Sequence, residues 1–120
     1  MTLYDPDLER QFEKSVGVKG DQGKPPIFRG VLVQFPRAIP LIATISAFGA
    51  NKYSWENWRR VDNNFDRYSE AMVRHLVAEG EGTGLDNDSG YAHAGHTAWN
   101  ALARLEIQLT EEEQERNART

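Results

Sequence analysis

Residues 68–102, YSEAMVRHLVAEGEGTGLDNDSGYAHAGHTAWNAL, contain two helical patterns separated by a glycine-rich loop. The first pattern begins before this stretch, at about Asp62, a candidate N-cap, and continues to Glu79. Gly80 then ends it, because glycine is a poor helix former. Its apolar stripe recurs at helical spacing and comprises Phe65, Met72, Val73, Leu76 and Val77.

The loop GEGTGLDNDSG is too rich in glycine for regular structure, and a third helix is expected after it. Asp88 or Ser89 is the candidate cap, and the helix should reach about Leu109. Thr110 and Glu113 form a capping-box pattern, which predicts a separate short charged helix or tail over residues 110–120. The apolar side of the third helix comprises Ala92, Trp99, Leu102, Ala103, Leu105 and Leu109.

Upstream of these two helices, residues 38–51 show another apolar helical pattern. Pro40 fits its first turn, and Gly49 or Asn51 suits its C-terminal end. The loop KYSWENWRR then leads to the second helix. Residues 1–37 are broken by glycine and proline, so we expect an extended arm in which VLVQF, residues 31–35, forms a short strand.

The predicted architecture is a small all-α bundle of about three main helices with an extended N-terminal arm. Residues 38–109 form its helical core, and 120 residues suit one domain. Three helices of this size leave apolar surface uncovered, so we expect oligomerisation to complete the bundle.

Composition excludes several classes of protein. The chain has no cysteine, which rules out disulfide scaffolds, thiolate metal sites and cysteine nucleophiles. Its formal charge of -4 argues against a broad surface for polymeric nucleic acid. No apolar run is long enough for a membrane span, and the acidic start lacks a signal-peptide pattern, so we expect a cytosolic protein. An anionic ligand would need a divalent cation and placed basic side chains.

All three histidines lie close together in the chain. His93 and His96 are three residues apart on one predicted helix, and Asn100 extends the same face by a turn. His75 lies on the preceding helix. These side chains are candidate metal or substrate ligands, and the alternative is that they make structural hydrogen bonds in a core or interface.

Acidic residues lie on the second predicted helix and around the glycine-rich loop. Hard divalent cations bind such oxygen donors and leave water ligands for phosphate chemistry. The spacing does not match an EF-hand, and a solvated acidic loop is the alternative interpretation. The candidate residues are Glu70, Glu79, Glu81, Asp86 and Asp88.

Several basic and aromatic side chains are candidates for binding an anionic substrate. Arg74 could clamp a phosphate, or it could pair with Glu70 one helical turn earlier. Trp55 and Trp58 could stack on a base, or they could pack between helices. The other candidate cations are Lys24, Lys52, Arg59 and Arg60.

Three segments together, GVKGDQGKPP, FGANKYSWENW and the stretch of residues 68–102 quoted above, resemble one family. It is the phage and bacterial dATP/dGTP diphosphohydrolase family of the MazZ type, associated with the all-α nucleotide pyrophosphohydrolases similar to MazG. The similarity covers about residues 17–109. The glutamate-rich EExxE and ExxD helices of ordinary MazG proteins are not evident in this chain. The ordered residues that carry the resemblance are Gly49, Ala50, Lys52, Tyr53, Asn57, Trp58, Arg74, His75, Gly80, Glu81, Asp86, Asp88, Ser89, Gly90, His93, His96 and Asn100.

The resemblance implies hydrolysis of dGTP or dATP to the monophosphate and pyrophosphate with Mg²⁺ or Mn²⁺. It also implies a role in phage nucleotide metabolism, such as a 2-aminoadenine pathway. Together with the oligomerisation and cytosolic location expected above, this predicts a homo-oligomer, a dimer or tetramer, in the host cytoplasm. Two alternatives stay open: a triphosphohydrolase similar to histidine–aspartate domain enzymes, and a non-catalytic helical protein that binds a nucleotide or a partner. His75 is not followed by aspartate, which weakens the first alternative.

Combined with this family chemistry, the candidates receive three roles. The expected catalytic residues are Glu70, Glu81 and Asp88. The expected metal ligands are Glu70, His75, Glu81, Asp86, Asp88 and His93. The expected substrate-binding residues are Lys24, Lys52, Asn57, Trp58, Arg74, His96 and Asn100.

Overall fold

The fold was analysed in a computed structural model, which describes Leu3 and residues 23–119. It contains three long helices, which we call α1 (Ala38–Lys52), α2 (Asn64–Gly80) and α3 (His93–Ala118). Two short helical segments accompany them, a π-helix at Phe28–Leu32 and a 3₁₀ helix at Asn57–Arg60. Within the described residues there is no β-strand, only an isolated antiparallel bridge between Leu85 and Ala92. The predicted all-α class is confirmed.

The first helix forms as predicted. Pro40 lies in the first turn of α1, where its missing N–H costs no hydrogen bond. Its carbonyl oxygen accepts a bond from the Thr44 hydroxyl at 2.9 Å. At the other end, the backbone N–H of Tyr53 donates to the Gly49 carbonyl at 3.2 Å and closes the last turn.

The cap of the second helix lies one residue later than predicted, so the assignment of Asp62 as its cap is wrong. The cap position is Asn63, which adopts a left-handed conformation with φ of 53° and ψ of 40°. The first helical bond is donated by Arg67 to the Asn63 carbonyl at 3.0 Å. The C-terminal end at Gly80 agrees with the prediction, since Gly80 is the last residue of α2.

The third helix begins at His93, so neither Asp88 nor Ser89 is its cap. Both belong instead to a compact turn that is closed by the bridge between Leu85 and Ala92. This turn has its own hydrogen bonds and does not feed directly into the helix.

No new helix starts at Thr110, because α3 continues without a break to Ala118. Nothing in residues 105–112 interrupts a helix, and the side chains of Arg116 and Glu112 form an i,i+4 ion pair at 3.1 Å in its last turns. The capping-box interpretation of Thr110 and Glu113 is therefore wrong.

The short strand predicted over residues 31–35 is also wrong. The backbone N–H of Val33 donates to the Phe28 carbonyl at 2.8 Å, and that of Phe35 donates to the Val31 carbonyl at 3.0 Å. These local bonds satisfy groups that a lone strand would leave without partners. The rest of the predicted arm, residues 1–22 apart from Leu3, lies outside the described residues.

Helix α3 is the centre of the bundle, since it packs against both α1 and α2. Gly95 lies buried where α1 crosses it, and a Cβ at this position would be 2.6 Å from Ile45 Cδ1. On the α2 side, Arg104 Nε donates to Ser69 Oγ at 2.7 Å and its guanidinium lies over the ring of Phe65. These contacts hold the middle of α3 beside the N-terminal half of α2, and the first turns of α3 meet the C-terminal half of α2 at His75.

None of the described helices combines the length and the apolar character that crossing a lipid bilayer requires.

Candidate functional site

Three histidines and one aspartate meet where α2, the glycine-rich loop and α3 come together. We call His75, Asp86, His93 and His96 the His–Asp cluster. One ligand atom from each of His75, Asp86 and His93 lies within 4.8 Å of the others. The Nδ1 atoms of His75 and His93 are 2.8 Å apart, so one ring can donate a hydrogen bond to the other. His93 is buried and the other two are half-buried.

His96 completes the cluster from the next turn of α3. Its ring stacks on that of His75, with centroids 4.5 Å apart and planes 8° from parallel. Its Nε2 atom lies 2.6 Å from the Ser89 hydroxyl and 3.9 Å from Asp86 Oδ2. His96 was expected to contact substrate, and the structure places it beside the three candidate metal ligands.

The loop holds Asp86 in place through a compact turn. Asp86 N–H donates to the Tyr91 carbonyl and Gly90 N–H donates to the Asp86 carbonyl, each at 2.8 Å. Gly90 has φ of +78°, which side chains rarely adopt. The Ser89 backbone N–H donates to Asp86 Oδ2 at 2.8 Å. The turn therefore orients the carboxylate towards the histidines and is itself tied to α3 by the bond from His93 N–H to the Gly84 carbonyl.

The protonation states of the cluster suit metal binding. Burial lowers the pKa of His75, and the neighbouring His96, His93 and Arg74 lower it further against the opposing charge of Asp86. Burial also lowers the pKa of His96, again against the attraction of Asp86. Burial by itself would raise the pKa of Asp86. The hydrogen bonds that Ser89 donates and the electrostatic effect of His96 and His75 instead bring this pKa below its ordinary value. Neutral imidazoles and an ionised carboxylate are the forms that coordinate cations.

The donor set of the cluster fits a divalent metal ion. Imidazole nitrogen suits borderline ions, while carboxylate oxygen suits Mg²⁺ and Mn²⁺. A site that combines both types of donor fits Mn²⁺ better than Mg²⁺, which prefers oxygen and retained water. The residues positioned to hold the ion are His75, Asp86 and His93, with His96 beside them.

Ser89, His96 and Asp86 are not arranged as a nucleophilic triad. A triad carboxylate bonds the imidazole nitrogen opposite the one that faces the hydroxyl. Here Asp86 approaches the same Nε2 atom that contacts Ser89 Oγ, and it does so at 3.9 Å. Ser89 therefore positions His96 and Asp86 rather than serving as a nucleophile.

Lys52 and Asp88, both predicted site residues, form an ion pair beside this loop. Lys52 Nζ lies 2.5 Å from Asp88 Oδ2 and 4.7 Å from the centre of the Phe48 ring. The hydrogen bond to Asp88 raises the pKa of Lys52, although desolvation opposes it. Both side chains are largely exposed. Asp88 thus has a lysine partner, and it is absent from the group of three candidate ligands.

Other predicted residues lie apart from the His–Asp cluster. Glu70, Arg74 and Asn57 line a separate cleft of about 900 Å³ along α2. Glu70 and Arg74 form no ion pair with each other, so the structural alternative for Arg74 is not realised. Glu81 at the end of α2 and Lys24 near the start of the described residues are exposed.

Two predicted substrate-binding residues have structural contacts. The ring of Trp58 packs edge-on against Tyr68 and Trp99, with centroids 6.3 Å and 5.8 Å away. Asn100 is only 5% exposed, and its amide nitrogen donates to the His96 carbonyl at 2.8 Å. Packing between helices accounts for both positions.

With this geometry established, comparison with known proteins identifies the family. The family model described as dATP/dGTP diphosphohydrolase, N-terminal, matches residues 14–117. The chain belongs to this family. A protein of Salmonella phage PMBT28 named dATP/dGTP diphosphohydrolase is 33% identical over 82 residues, which are 68% of this chain and 26% of that protein. The match thus spans about a quarter of the phage protein. No solved structure gives a significant match.

Membership confirms the family resemblance of the sequence, and the structure adds one residue that the sequence interpretation missed. From the sequence, Ser89 is a candidate helix cap and one of the residues of the resemblance, with no role in the site, but Ser89 contacts both Asp86 and His96. The available signal was the Asp-x-x-Ser spacing inside a glycine-rich loop, which is typical of an aspartate side chain that accepts a backbone bond in a turn.

Proposed function

We propose that this chain hydrolyses a purine deoxynucleoside triphosphate, dGTP or dATP, to the monophosphate and pyrophosphate in a metal-dependent reaction. The observation that supports this most strongly is the meeting of His75, Asp86 and His93 within 4.8 Å in a member of the dATP/dGTP diphosphohydrolase N-terminal family. Two imidazoles and a carboxylate at one point form a cation site, and a triphosphate requires such a cation.

In this proposal His75, Asp86 and His93 hold Mn²⁺ or Mg²⁺, with Mn²⁺ favoured by the nitrogen donors. When bound, the ion neutralises phosphate charge and acidifies a water ligand. Water attacks the α-phosphorus, the bond from that phosphorus to the α–β bridging oxygen breaks, and pyrophosphate leaves. The proton of the attacking water passes to a carboxylate, for which Asp88 of the glycine-rich loop is the candidate.

Basic side chains would hold the phosphates of the substrate. Lys52 already neutralises one anionic group, Asp88, at 2.5 Å, and a phosphate oxygen can replace that partner. Arg74 lines the neighbouring cleft along α2, and its positive charge contributes to the lowered pKa of His75. Glu70, Glu81 and Lys24 stay predicted site residues, and their places outside the His–Asp cluster make them secondary candidates.

The histidine content of the cluster supports a second candidate reaction, release of whole triphosphate to leave a deoxynucleoside. Histidine–aspartate metal sites serve that chemistry in the alternative considered from the sequence. Both reactions would use the same ligands but different phosphorus atoms. A non-catalytic nucleotide-binding protein would use the cluster for neither of these two reactions.

Hydrolysis of dGTP and dATP by the full chain in H₂¹⁸O separates these candidates. With Mn²⁺ or Mg²⁺, we expect monophosphate and pyrophosphate, with the ¹⁸O in the monophosphate because water attacks the α-phosphorus. Deoxynucleoside and triphosphate as products would establish the second reaction instead. Absence of turnover with either metal, together with unchanged melting on addition of Mn²⁺ and dGTP, would support the binding protein.

Substitution of the proposed metal ligands provides the matching genetic test. His75→Asn, Asp86→Asn and His93→Asn should each lower kcat/KM at least about 100-fold and weaken Mn²⁺ binding measured by calorimetry. Glu113→Gln, a loss of one exposed carboxylate far along α3, serves as the matched control and should keep both values. Full activity in all three ligand variants would remove the His–Asp cluster from the reaction.

We further propose that the active form is a homo-oligomer, a dimer or tetramer, acting in phage nucleotide metabolism in the host cytoplasm. The support is the apolar surface that two helices leave uncovered. Side chains on α2 and α3 that are 45–55% exposed are Val73, Leu76, Val77, Leu102 and Leu105. The relative from Salmonella phage PMBT28 supports the phage setting.

A further inference from the structure

The cleft of about 900 Å³ is large enough for a small-molecule ligand and lies outside the His–Asp cluster. Its walls come from the segment between α1 and α2 and from one side of α2. Polar side chains predominate among them, with an aromatic ring at one edge. The residues that matter for the argument are Tyr53, Asn57, Asn63, Arg67, Glu70 and Arg74.

Asn63 is the most unusual residue of this cleft. It is the only described residue other than glycine with a positive φ. Although it occupies the cap position of α2, its side chain makes no capping hydrogen bond. The next residue, Asn64, instead accepts a bond from Phe65 N–H at 2.8 Å. The exposed Asn63 amide is therefore available to a ligand in the cleft, as both donor and acceptor.

Arg67 lies in the first turn of α2, four residues after Asn63, and both residues line the cleft. Arg67 is exposed and forms no ion pair with any described residue. Asn57 lines the same cleft, and the ring of Tyr53 at its edge is 72% exposed. Amide, guanidinium and an exposed aromatic face together are the groups that proteins use to bind a nucleobase.

One residue of the cleft is the chain neighbour of a candidate metal ligand. Arg74 lines it and precedes His75 of the cluster directly in the chain. Asn64 and Arg74 are ten residues apart, about 15 Å along the helix axis. A nucleotide with its phosphates near Arg74 would thus extend its base along α2 towards Asn63.

We propose that this cleft binds the purine base of the nucleotide and reads its N7 edge through Asn63 and Arg67, while Tyr53 stacks on the ring. This inference rests on the proposed function and names the part of the substrate that the function leaves unplaced. Asparagine pairs with N6 and N7 of adenine, and arginine pairs with O6 and N7 of guanine. The N7 acceptor is common to both purines and absent from pyrimidines, so one cleft accepts dATP and dGTP and rejects pyrimidine nucleotides.

Equilibrium binding of monophosphates tests this without any need for turnover. The probes are dAMP and dGMP, their 7-deaza analogues, in which a C–H replaces N7, and dCMP. The full chain should bind dAMP and dGMP about tenfold more tightly than the 7-deaza analogues and dCMP. Equal binding of dAMP and 7-deaza-dAMP, or no binding of any monophosphate, would overturn the inference.

Two variants then test whether Asn63 and Arg67 recognise the N7 edge of the purine. Asn63→Gly keeps the left-handed backbone and removes the amide, so it should abolish the preference for dAMP over 7-deaza-dAMP without lowering the melting temperature. Arg67→Met should abolish the preference for dGMP over 7-deaza-dGMP, also without lowering the melting temperature. Asn51→Ala, at an exposed position in α1, is the matched control and should retain both preferences. Retained preferences in Asn63→Gly and Arg67→Met would contradict the assignment.

This outcome is independent of the hydrolysis experiment. A purine preference that depends on N7 and Asn63, in a chain that turns over neither dGTP nor dATP, would leave the cleft assigned and refute the proposed function. Hydrolysis that proceeds equally fast with 7-deaza-dATP and dATP, in a chain whose monophosphate binding also ignores N7, would do the reverse.

Discussion

Ser89 contacts two members of the His–Asp cluster through different atoms. Its backbone N–H donates to Asp86 Oδ2, and its hydroxyl lies 2.6 Å from His96 Nε2. The same hydroxyl accepts a bond from Tyr91 N–H at 3.1 Å. Groups that orient metal ligands in this way affect affinity although they do not touch the ion.

Replacement of Ser89 by alanine should therefore weaken Mn²⁺ binding about tenfold while the fold is kept. The backbone bond to Asp86 survives in this variant, but His96 loses its hydrogen bond. Calorimetric titration with Mn²⁺ measures the effect, and Ser54→Ala, an exposed serine whose side chain has no described role, is the control. An unchanged Mn²⁺ affinity in Ser89→Ala would show that Ser89 has no positioning role.

At the scale of elements, the close approach of α1 to α3 depends on a single glycine. A Cβ at Gly95 would meet Ile45 Cδ1 at 2.6 Å and Leu41 Cδ2 at 3.1 Å. Ile45 is one of the few buried apolar side chains among the described residues, so it has little room to move. In contrast, a Cβ at Gly49 on α1 would meet no atom within 4 Å.

These two glycines form a matched pair for measurement by chemical denaturation. Gly95→Ala should lower the free energy of unfolding by about 1–3 kcal/mol, because it overpacks the contact between α1 and α3. Gly49→Ala should leave it unchanged or raise it by about 0.5–1 kcal/mol, since alanine favours the helix. If Gly95→Ala were as stable as the parent chain, the packing of α1 on α3 described above would be wrong.

At the scale of the whole molecule, the stability of the metal-free chain should depend on pH through its histidines. The folded pKa values of His75 and His96 lie below the ordinary value of 6.5. The unfolded chain therefore takes up protons at these positions before the folded chain does. Their contribution is fully present above about pH 6.5 and is lost as the pH falls through the folded pKa values. Asp86, with a pKa lowered from 3.8, acts in a separate and more acidic range.

We expect the melting temperature of the metal-free chain to fall between pH 7.5 and pH 5.5, and the fall to be smaller in His96→Gln. Stabilisation by Mn²⁺ should shrink over the same range, because protons compete with the metal for imidazole nitrogen. Thermal unfolding followed by circular dichroism measures all three. A melting temperature that does not change between these pH values would contradict the lowered pKa values.

The sequence was sufficient to predict the helices because their signals are local. The spacing of apolar residues and the helix-ending glycines placed α1 and the end of α2 within a residue or two. Its errors were at caps and in the arm. Asp62, Asp88 and Thr110 all have the residue type of a cap. However, α2 starts after the left-handed Asn63, α3 starts at His93, whose N–H bonds to the Gly84 carbonyl, and Thr110 lies inside α3.

The candidate site was predictable only in part. The residue types were recognised, and the histidines were grouped because two of them share a helical face. The structure alone selects Asp86 from five acidic candidates and leaves Glu70 in the cleft and Glu81 in the open loop. The turn in the glycine-rich loop places Asp86 beside the histidines. The bond from His93 N–H to the Gly84 carbonyl ties this turn to α3 and joins residues nine positions apart in the chain.

The sequence by itself thus determined the all-α class, the family and the set of side chains capable of the chemistry, since these follow from composition, periodicity and ordered motifs. Only the tertiary structure decided which of those side chains meet. The packing of α3 against α2 and the bonds within the glycine-rich loop bring His75 to Asp86 and His93. The tertiary structure also pairs Asp88 with Lys52 and forms the cleft that Asn63 lines. Both depend on contacts between distant parts of the chain, which no local pattern encodes.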